Sequence, residues 1–176
     1  MYMHHEKKVG FIAHPRTASS ATAHTLMEMG FEITSHGHHG IPMEVFDGDW
    51  NIFCTVRNPF DVLVSWYYAK EREHNFDDWL PIFLRDCGFL QGVRMFFGRS
   101  ICTHVLHYET LQDDFNGMCQ ITGLPHTPIL ERNVSPHRTH KGYMSKYNFE
   151  RARMVIERFR MDFTENDYHI PSLKGC

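Results

Sequence analysis

The stretch FIAHPRTASSATAHTLMEMG, residues 11–30, joins an apolar run to a short polar loop and then to a run of helix-forming residues. The apolar run is suited to a buried strand, and Gly30 is a typical helix stop. The stretch therefore predicts a strand, an anion-holding turn and a helix, in that order. The loop carries one cation, Arg16, and has no glycine between Gly10 and Gly30. It therefore lacks the G-x-x-x-x-G-K-[ST] pattern of nucleotide kinases.

Strand and helix patterns alternate along the rest of the chain. The strand patterns cover residues 8–13, 31–34, 52–56 and 103–108. The helix patterns cover residues 20–29, 59–72, parts of 76–97, 109–122 and 149–161. This alternation predicts an α/β fold, a single domain over residues 1–176 with a mainly parallel central sheet flanked by helices. Ligands of such sheets bind at the carboxyl ends of the strands.

The composition excludes several classes of protein. A chain of 176 residues with 42% hydrophobic and 22% charged residues is typical of one soluble globular domain. Its formal net charge of −3 argues against a nucleic-acid partner, although a local basic pocket for a small anion is compatible with it. The five cysteines form no C-x-x-C pair, which favours reduced thiols in a cytoplasmic compartment. We expect no membrane span, because no apolar run reaches about 18 residues.

A second informative stretch is TVRNPFDVLVSWYYAKER, residues 55–72. Asn58 is suited to a helix N-cap and Asp61 to the first helical turn, so a helix should begin directly after the strand. Arg57 lies at the end of that strand. Helical periodicity places Asn58, Asp61 and Ser65 on one face. An arginine fork and a hydroxyl can hold one phosphate group from two sides.

The pattern R-N-P-x-D-x-x-x-S after a buried strand resembles the 3′-phosphate-binding element of the sulfotransferase family. That family uses 3′-phosphoadenosine 5′-phosphosulfate (PAPS) as donor and leaves adenosine 3′,5′-bisphosphate (PAP), without a metal. The resemblance implies that Arg57 and Ser65 bind the donor's 3′-phosphate. It also implies that residues 15–20 are the family's phosphosulfate loop, commonly written P-K-S-G-T-T. Its positions are filled here by Pro15, Arg16, Thr17, Ala18, Ser19 and Ser20.

Two residues of the phosphosulfate loop depart from the family pattern. Arg16 stands in place of the usual Lys, which keeps the charge but replaces a compact ammonium with a planar fork. The resemblance gives Arg16 the task of stabilising the departing phosphate. Ala18 stands in place of Gly, which predicts a negative φ at this position.

Later segments extend the resemblance and imply a P-loop-like, three-layer arrangement. Residues 107–125 are similar to the family's strand, Tyr-Glu-x-Leu turn and following helix. Residues 133–148 resemble its late cofactor loop, in which Arg138 and Lys141 are the cations expected to approach the 3′-phosphate. Residues 157–168 resemble its last helix.

The segment SHGHHGIP, residues 35–42, supplies candidates for the proton acceptor. Many sulfotransferases have a catalytic histidine in a similar place between the two phosphate motifs. His39 is the first choice for this base and His38 the second. A zinc site that includes His36 and His38 is an alternative interpretation, since alternate strand residues share a face. Glu109 is an alternative base.

The predicted function is sulfuryl transfer from PAPS to a hydroxyl or amine of an unidentified small-molecule, carbohydrate or peptide acceptor. A small nucleotide kinase is one alternative, and it would require Mg·ATP. A module that binds PAP without catalysing transfer is another. The acceptor cannot be read from these motifs, because specificity resides in variable loops on a shared scaffold.

Overall fold

The computed structural model describes residues 1–34, 42–46, 49–70, 74–86, 101–130 and 142–172. The chain divides into two compact units. The first unit comprises Met1–Val56 and Val93–Asn133, and the second comprises Arg57–Gly92 and Val134–Cys176. The organisation as a single domain stays a prediction.

The first unit contains a five-stranded sheet in the order β3-β1-β2-β4-β5. The strands are β1 (Tyr2–His4), β2 (Val9–Ile12), β3 (Glu32–Ile33), β4 (Asn51–Val56) and β5 (His104–His107). Strands β2, β4 and β5 are parallel, whereas β1 is antiparallel to both β2 and β3. The predicted α/β fold is confirmed, and its sheet is mixed, because β1 runs opposite to the other four strands. The short turn between β1 and β2 permits only an antiparallel pair, because a parallel pair needs a long crossover.

Two helices of the first unit, α1 (Ser19–Glu28) and α4 (Leu111–Thr122), pack on one face of this sheet. Side chains in register on neighbouring strands form that face, because alternate strand residues point the same way. They include Val9, Phe11, Phe53 and Leu106. The helices contribute Ala23, Leu26, Phe115 and Met118. This core fixes the start of α1, whose first two residues are the last two of the phosphosulfate loop.

The described part of the second unit contains the α-helices α2 (Pro59–Lys70), α3 (Phe76–Asp86) and α5 (Phe149–Glu165). At the start of each helix an asparagine side-chain oxygen accepts a backbone N–H of the first turn, and these asparagines are Asn58, Asn75 and Asn148. The helices bury a common core rich in aromatic rings. Its members include Phe60, Leu63, Phe76, Trp79, Val155, Phe159 and Phe163.

None of the helices within the described ranges has the length and apolar character needed to cross a bilayer.

Candidate functional site

The phosphosulfate loop contains two residues in the left-handed region of backbone space. Arg16 has φ 67° and Ala18 has φ 62°, whereas Thr17 between them has no positive φ. Alternation of this kind is the pattern by which successive backbone N–H groups turn towards one side in anion-binding nests. Ala18 is also the N-cap residue of α1, and its carbonyl accepts the N–H groups of Ala21 and Thr22.

The negative φ expected for Ala18 was therefore wrong. Ala18 adopts a left-handed conformation despite its methyl side chain. For an L-residue this conformation costs about 1–2 kcal/mol. The rest of the loop must offset that cost.

An Ala18→Gly variant should therefore raise the free energy of unfolding by up to about 1 kcal/mol. Glycine relieves the left-handed strain but loses about 0.5–1 kcal/mol through the greater entropy of its unfolded chain. Denaturant titration measures the difference. As a control, Ala23→Gly inside α1 should lower the free energy of unfolding by at least about 1 kcal/mol. Equal destabilisation by both substitutions would contradict the strain at Ala18.

Hydroxyl groups of the phosphosulfate loop bond within the first unit. Thr17 Oγ1 donates to the carbonyl oxygen of His14 at 2.9 Å, and Ser19 Oγ donates to the same oxygen at 2.5 Å. Thr17 Oγ1 also lies 2.6 Å from Thr55 Oγ1 on β4. Thr17 and Ser19 are buried, whereas Ser20 is exposed. The hydroxyl groups of Thr17 and Ser19 thus form hydrogen bonds within the loop. Contact of these hydroxyls with PAPS stays a prediction.

The second candidate binding segment, Arg57 to Ser65, begins where β4 ends. Arg57 Nε donates to Asp61 Oδ2 at 2.7 Å, and these side chains are only 3% and 6% exposed. Ser65, one turn beyond Asp61 on α2, is also buried. The predicted N-cap is confirmed, because Asn58 Oδ1 accepts the N–H of Phe60 at 3.1 Å. The bond between Arg57 and Asp61 was not predicted, although their i, i+4 spacing is a signal for it.

A partly buried tyrosine packs against the first turn of α2. Tyr147 donates its hydroxyl to the carbonyl oxygen of Phe60 at 2.8 Å, and the two rings meet edge to face. Burial raises the pKa of Tyr147 well above its usual value, and the negative charge of Asp61 adds to this. Tyr147 therefore stays neutral at physiological pH and adds no charge beside Arg57 and Asp61.

Several predicted residues lie outside the described ranges. They are the histidines His36, His38 and His39 and the cations Arg138 and Lys141. Glu109, the alternative base, is exposed in a 3₁₀ turn, Tyr108–Thr110, directly after β5. Within the part of the chain that the structure describes, no three His, Cys, Asp or Glu side chains are grouped to hold a metal ion.

One histidine that the sequence did not single out lies at the carboxyl end of β5. His107 pairs in register with Val56, the last residue of β4. Its backbone N–H donates to Asp114 Oδ2 at 2.7 Å, and its ring Nδ1 lies 3.3 Å from the same oxygen. The available signal was a histidine at a strand end followed by acidic residues in the next helix. The contact fastens the end of β5 to the first turn of α4.

Comparison with known proteins identifies the family of this chain. A family model described as a sulfotransferase domain matches residues 7–120, which is more than half of the chain. The match includes the phosphosulfate loop and the segment from Arg57 to Ser65, and it ends before Arg138. No curated protein matches the chain significantly. On the strength of the family match, the chain belongs to the sulfotransferase family.

Proposed function

We propose that this protein transfers a sulfuryl group from PAPS to a hydroxyl or amine of a small-molecule, carbohydrate or peptide acceptor. The acceptor's oxygen or nitrogen attacks sulfur, and a bond forms between them. The bond from sulfur to the bridging oxygen of the 5′-phosphate breaks, and PAP leaves with that electron pair. The acceptor's proton passes to a general base. Membership of the family supports this class of reaction.

The main support for this proposal is the backbone conformation of the phosphosulfate loop. Left-handed Arg16 and Ala18 alternate with Thr17 in front of the N-terminus of α1, where the helix dipole favours an anion. The first turn of α1 contains no acidic residue that would oppose one. We assign the 5′-phosphosulfate to the N–H groups of this loop together with the exposed hydroxyl of Ser20. Arg16 stabilises the charge that develops on the bridging oxygen.

The buried pair at the start of α2 supports a role in binding the donor's 3′-phosphate. Asp61 holds Arg57 through Nε, which fixes the plane of the guanidinium before any ligand arrives. Ser65 lies on the same face of α2 and is buried with this pair. We assign the 3′-phosphate to Arg57 and Ser65, with Arg138 and Lys141 as further cations.

The base is assigned from the sequence alone. His39 is the first candidate and His38 the second, because the family's catalytic histidine occupies a similar place between the two phosphate motifs. Glu109 follows as the alternative.

Calorimetry with PAP and adenosine 5′-phosphate tests the assignment of the 3′-phosphate. PAP should bind roughly ten- to a hundredfold more tightly, because a hydrogen bond to a charged group contributes about 1.5–3 kcal/mol. Arg57→Ala should remove most of this preference. Ser65→Ala should remove part of it while the Arg57 and Asp61 pair stays intact.

Arg153→Ala is a matched control, because Arg153 forms an exposed i, i+4 pair with Glu157 on α5. This variant should keep the full preference for PAP. Equal affinity of the unmodified protein for both nucleotides would refute the assignment. Turnover assays with PAPS and phenol, sugar and peptide acceptors then test the reaction. Phosphoryl transfer from Mg·ATP would indicate a kinase, and PAP binding without any transfer would indicate a binding module.

A further inference from the structure

A chain of hydroxyl groups joins β4 to the phosphosulfate loop within the first unit. Thr55 Oγ1 lies 2.6 Å from Thr17 Oγ1, and both residues are fully buried. Thr17 Oγ1 in turn donates to the carbonyl oxygen of His14. The two threonines are 38 positions apart in the sequence, so this contact fastens the loop to a different element of the fold.

The number of hydroxyl hydrogens determines which group is the donor in each of these hydrogen bonds. A hydroxyl group has one hydrogen to donate, and Thr17 Oγ1 donates its hydrogen bond to the carbonyl oxygen of His14. The hydroxyl of Thr55 must therefore be the donor of the hydrogen bond to Thr17 Oγ1. The carbonyl oxygen of His14 accepts a second hydrogen bond, from the hydroxyl of Ser19, so both of its lone pairs are used.

This closed arrangement encloses the strained part of the loop. Left-handed Arg16 and Ala18 both lie between His14 and Ser19, whose ends the hydroxyls hold together. Left-handed residues of this kind persist only where the surroundings enforce them. Thr55 is a partner outside the loop that supports them through Thr17.

We propose that Thr55 is a positioning residue that holds the phosphosulfate loop in its anion-binding conformation. The identity of the bound anion rests on the proposed function, whereas the hold of Thr55 on the loop does not. In this arrangement Thr17 and Ser19 shape the loop through their hydroxyls and present their backbone N–H groups to the donor.

Amide hydrogen exchange and PAP binding test the proposal in Thr55→Val and Thr55→Ser. The valine keeps the shape of the side chain but removes its hydroxyl. The amides of Ala21 and Thr22 report on the loop, since both donate to the carbonyl of Ala18. They should exchange about tenfold faster in Thr55→Val, the equivalent of one lost hydrogen bond. PAP affinity should fall by a similar factor, and Thr55→Ser should restore both properties.

Thr103→Val is the matched control, because the hydroxyl of Thr103 bonds to the backbone of Ile52 at the other end of β4. This variant should leave the exchange of Ala21 and Thr22 unchanged relative to the amide of Leu124 in the same protein. Unchanged exchange in Thr55→Val would overturn the proposal, and so would equal acceleration in Thr103→Val. If the unmodified protein does not bind PAP, the proposed donor is wrong, and the exchange rates still decide the role of Thr55.

Discussion

An Asp61→Asn variant is expected to lose about 3–5 kcal/mol of unfolding free energy. The substitution removes the negative partner of Arg57 and leaves a guanidinium that is 3% exposed beside a neutral amide. Removing one member of a buried ion pair is costly, because the remaining charge stays away from water. Denaturant titration measures the loss. Glu157→Gln breaks an i, i+4 pair that is about 60% exposed, so it should cost less than about 1 kcal/mol.

A double variant separates the charge of this pair from its packing. Arg57→Met with Asp61→Leu removes both buried charges and keeps similar volumes, so most of the lost stability should return. The same variant should no longer prefer PAP over adenosine 5′-phosphate. If Asp61→Asn is as stable as Glu157→Gln, Asp61 is not the partner that stabilises buried Arg57.

The second large effect is expected at the base. His39→Ala should lower turnover by about 10² to 10⁴ while leaving PAP binding nearly unchanged, because the base acts on the acceptor's proton. A neutral imidazole accepts that proton. Turnover of the unmodified protein should therefore fall as the pH drops through about 6.5, the reference pKa of histidine.

Variants of the neighbouring histidines complete this experiment. A loss confined to His38→Ala would move the base by one position. Joint loss in His36→Ala and His38→Ala, accompanied by bound zinc, would support the metal site. Full activity in all three variants would exclude a histidine base from this segment and direct attention to Glu109.

Much of the fold could be predicted from local patterns. Each of the four predicted strand segments overlaps an observed strand, because each includes apolar residues typical of strands. The start of α2 was predicted at Pro59 because Asn58 is a strong cap. Strand β1 was missed, since three residues show no clear periodicity. Its antiparallel pairing was missed as well, because an apolar run does not encode the direction of its neighbour.

In the candidate site, too, local features could be predicted from the sequence and features that depend on distant residues could not. The shared helical face of Asp61 and Ser65 could be predicted because their spacing is local and regular, whereas phosphate binding by Arg57 and Ser65 stays a prediction. The positive φ of Ala18 could not, because a local rule assigns an alanine a negative φ. The loop that contains Ala18 is held by Thr55, a residue far away in the sequence. A threonine inside an apolar strand gives no signal of this role until the strand and the loop are placed side by side.

The order of the units along the chain has a consequence for synthesis on the ribosome. Each unit combines an early and a late segment, so neither is complete when its first segment emerges. Helices α2 and α3 leave the ribosome before β5 and α4, but they bury aromatic side chains such as Phe76 and Trp79 in a core shared with α5. The nascent chain therefore carries unburied aromatic surface until α5 has been made, and chaperones bind surfaces of this kind.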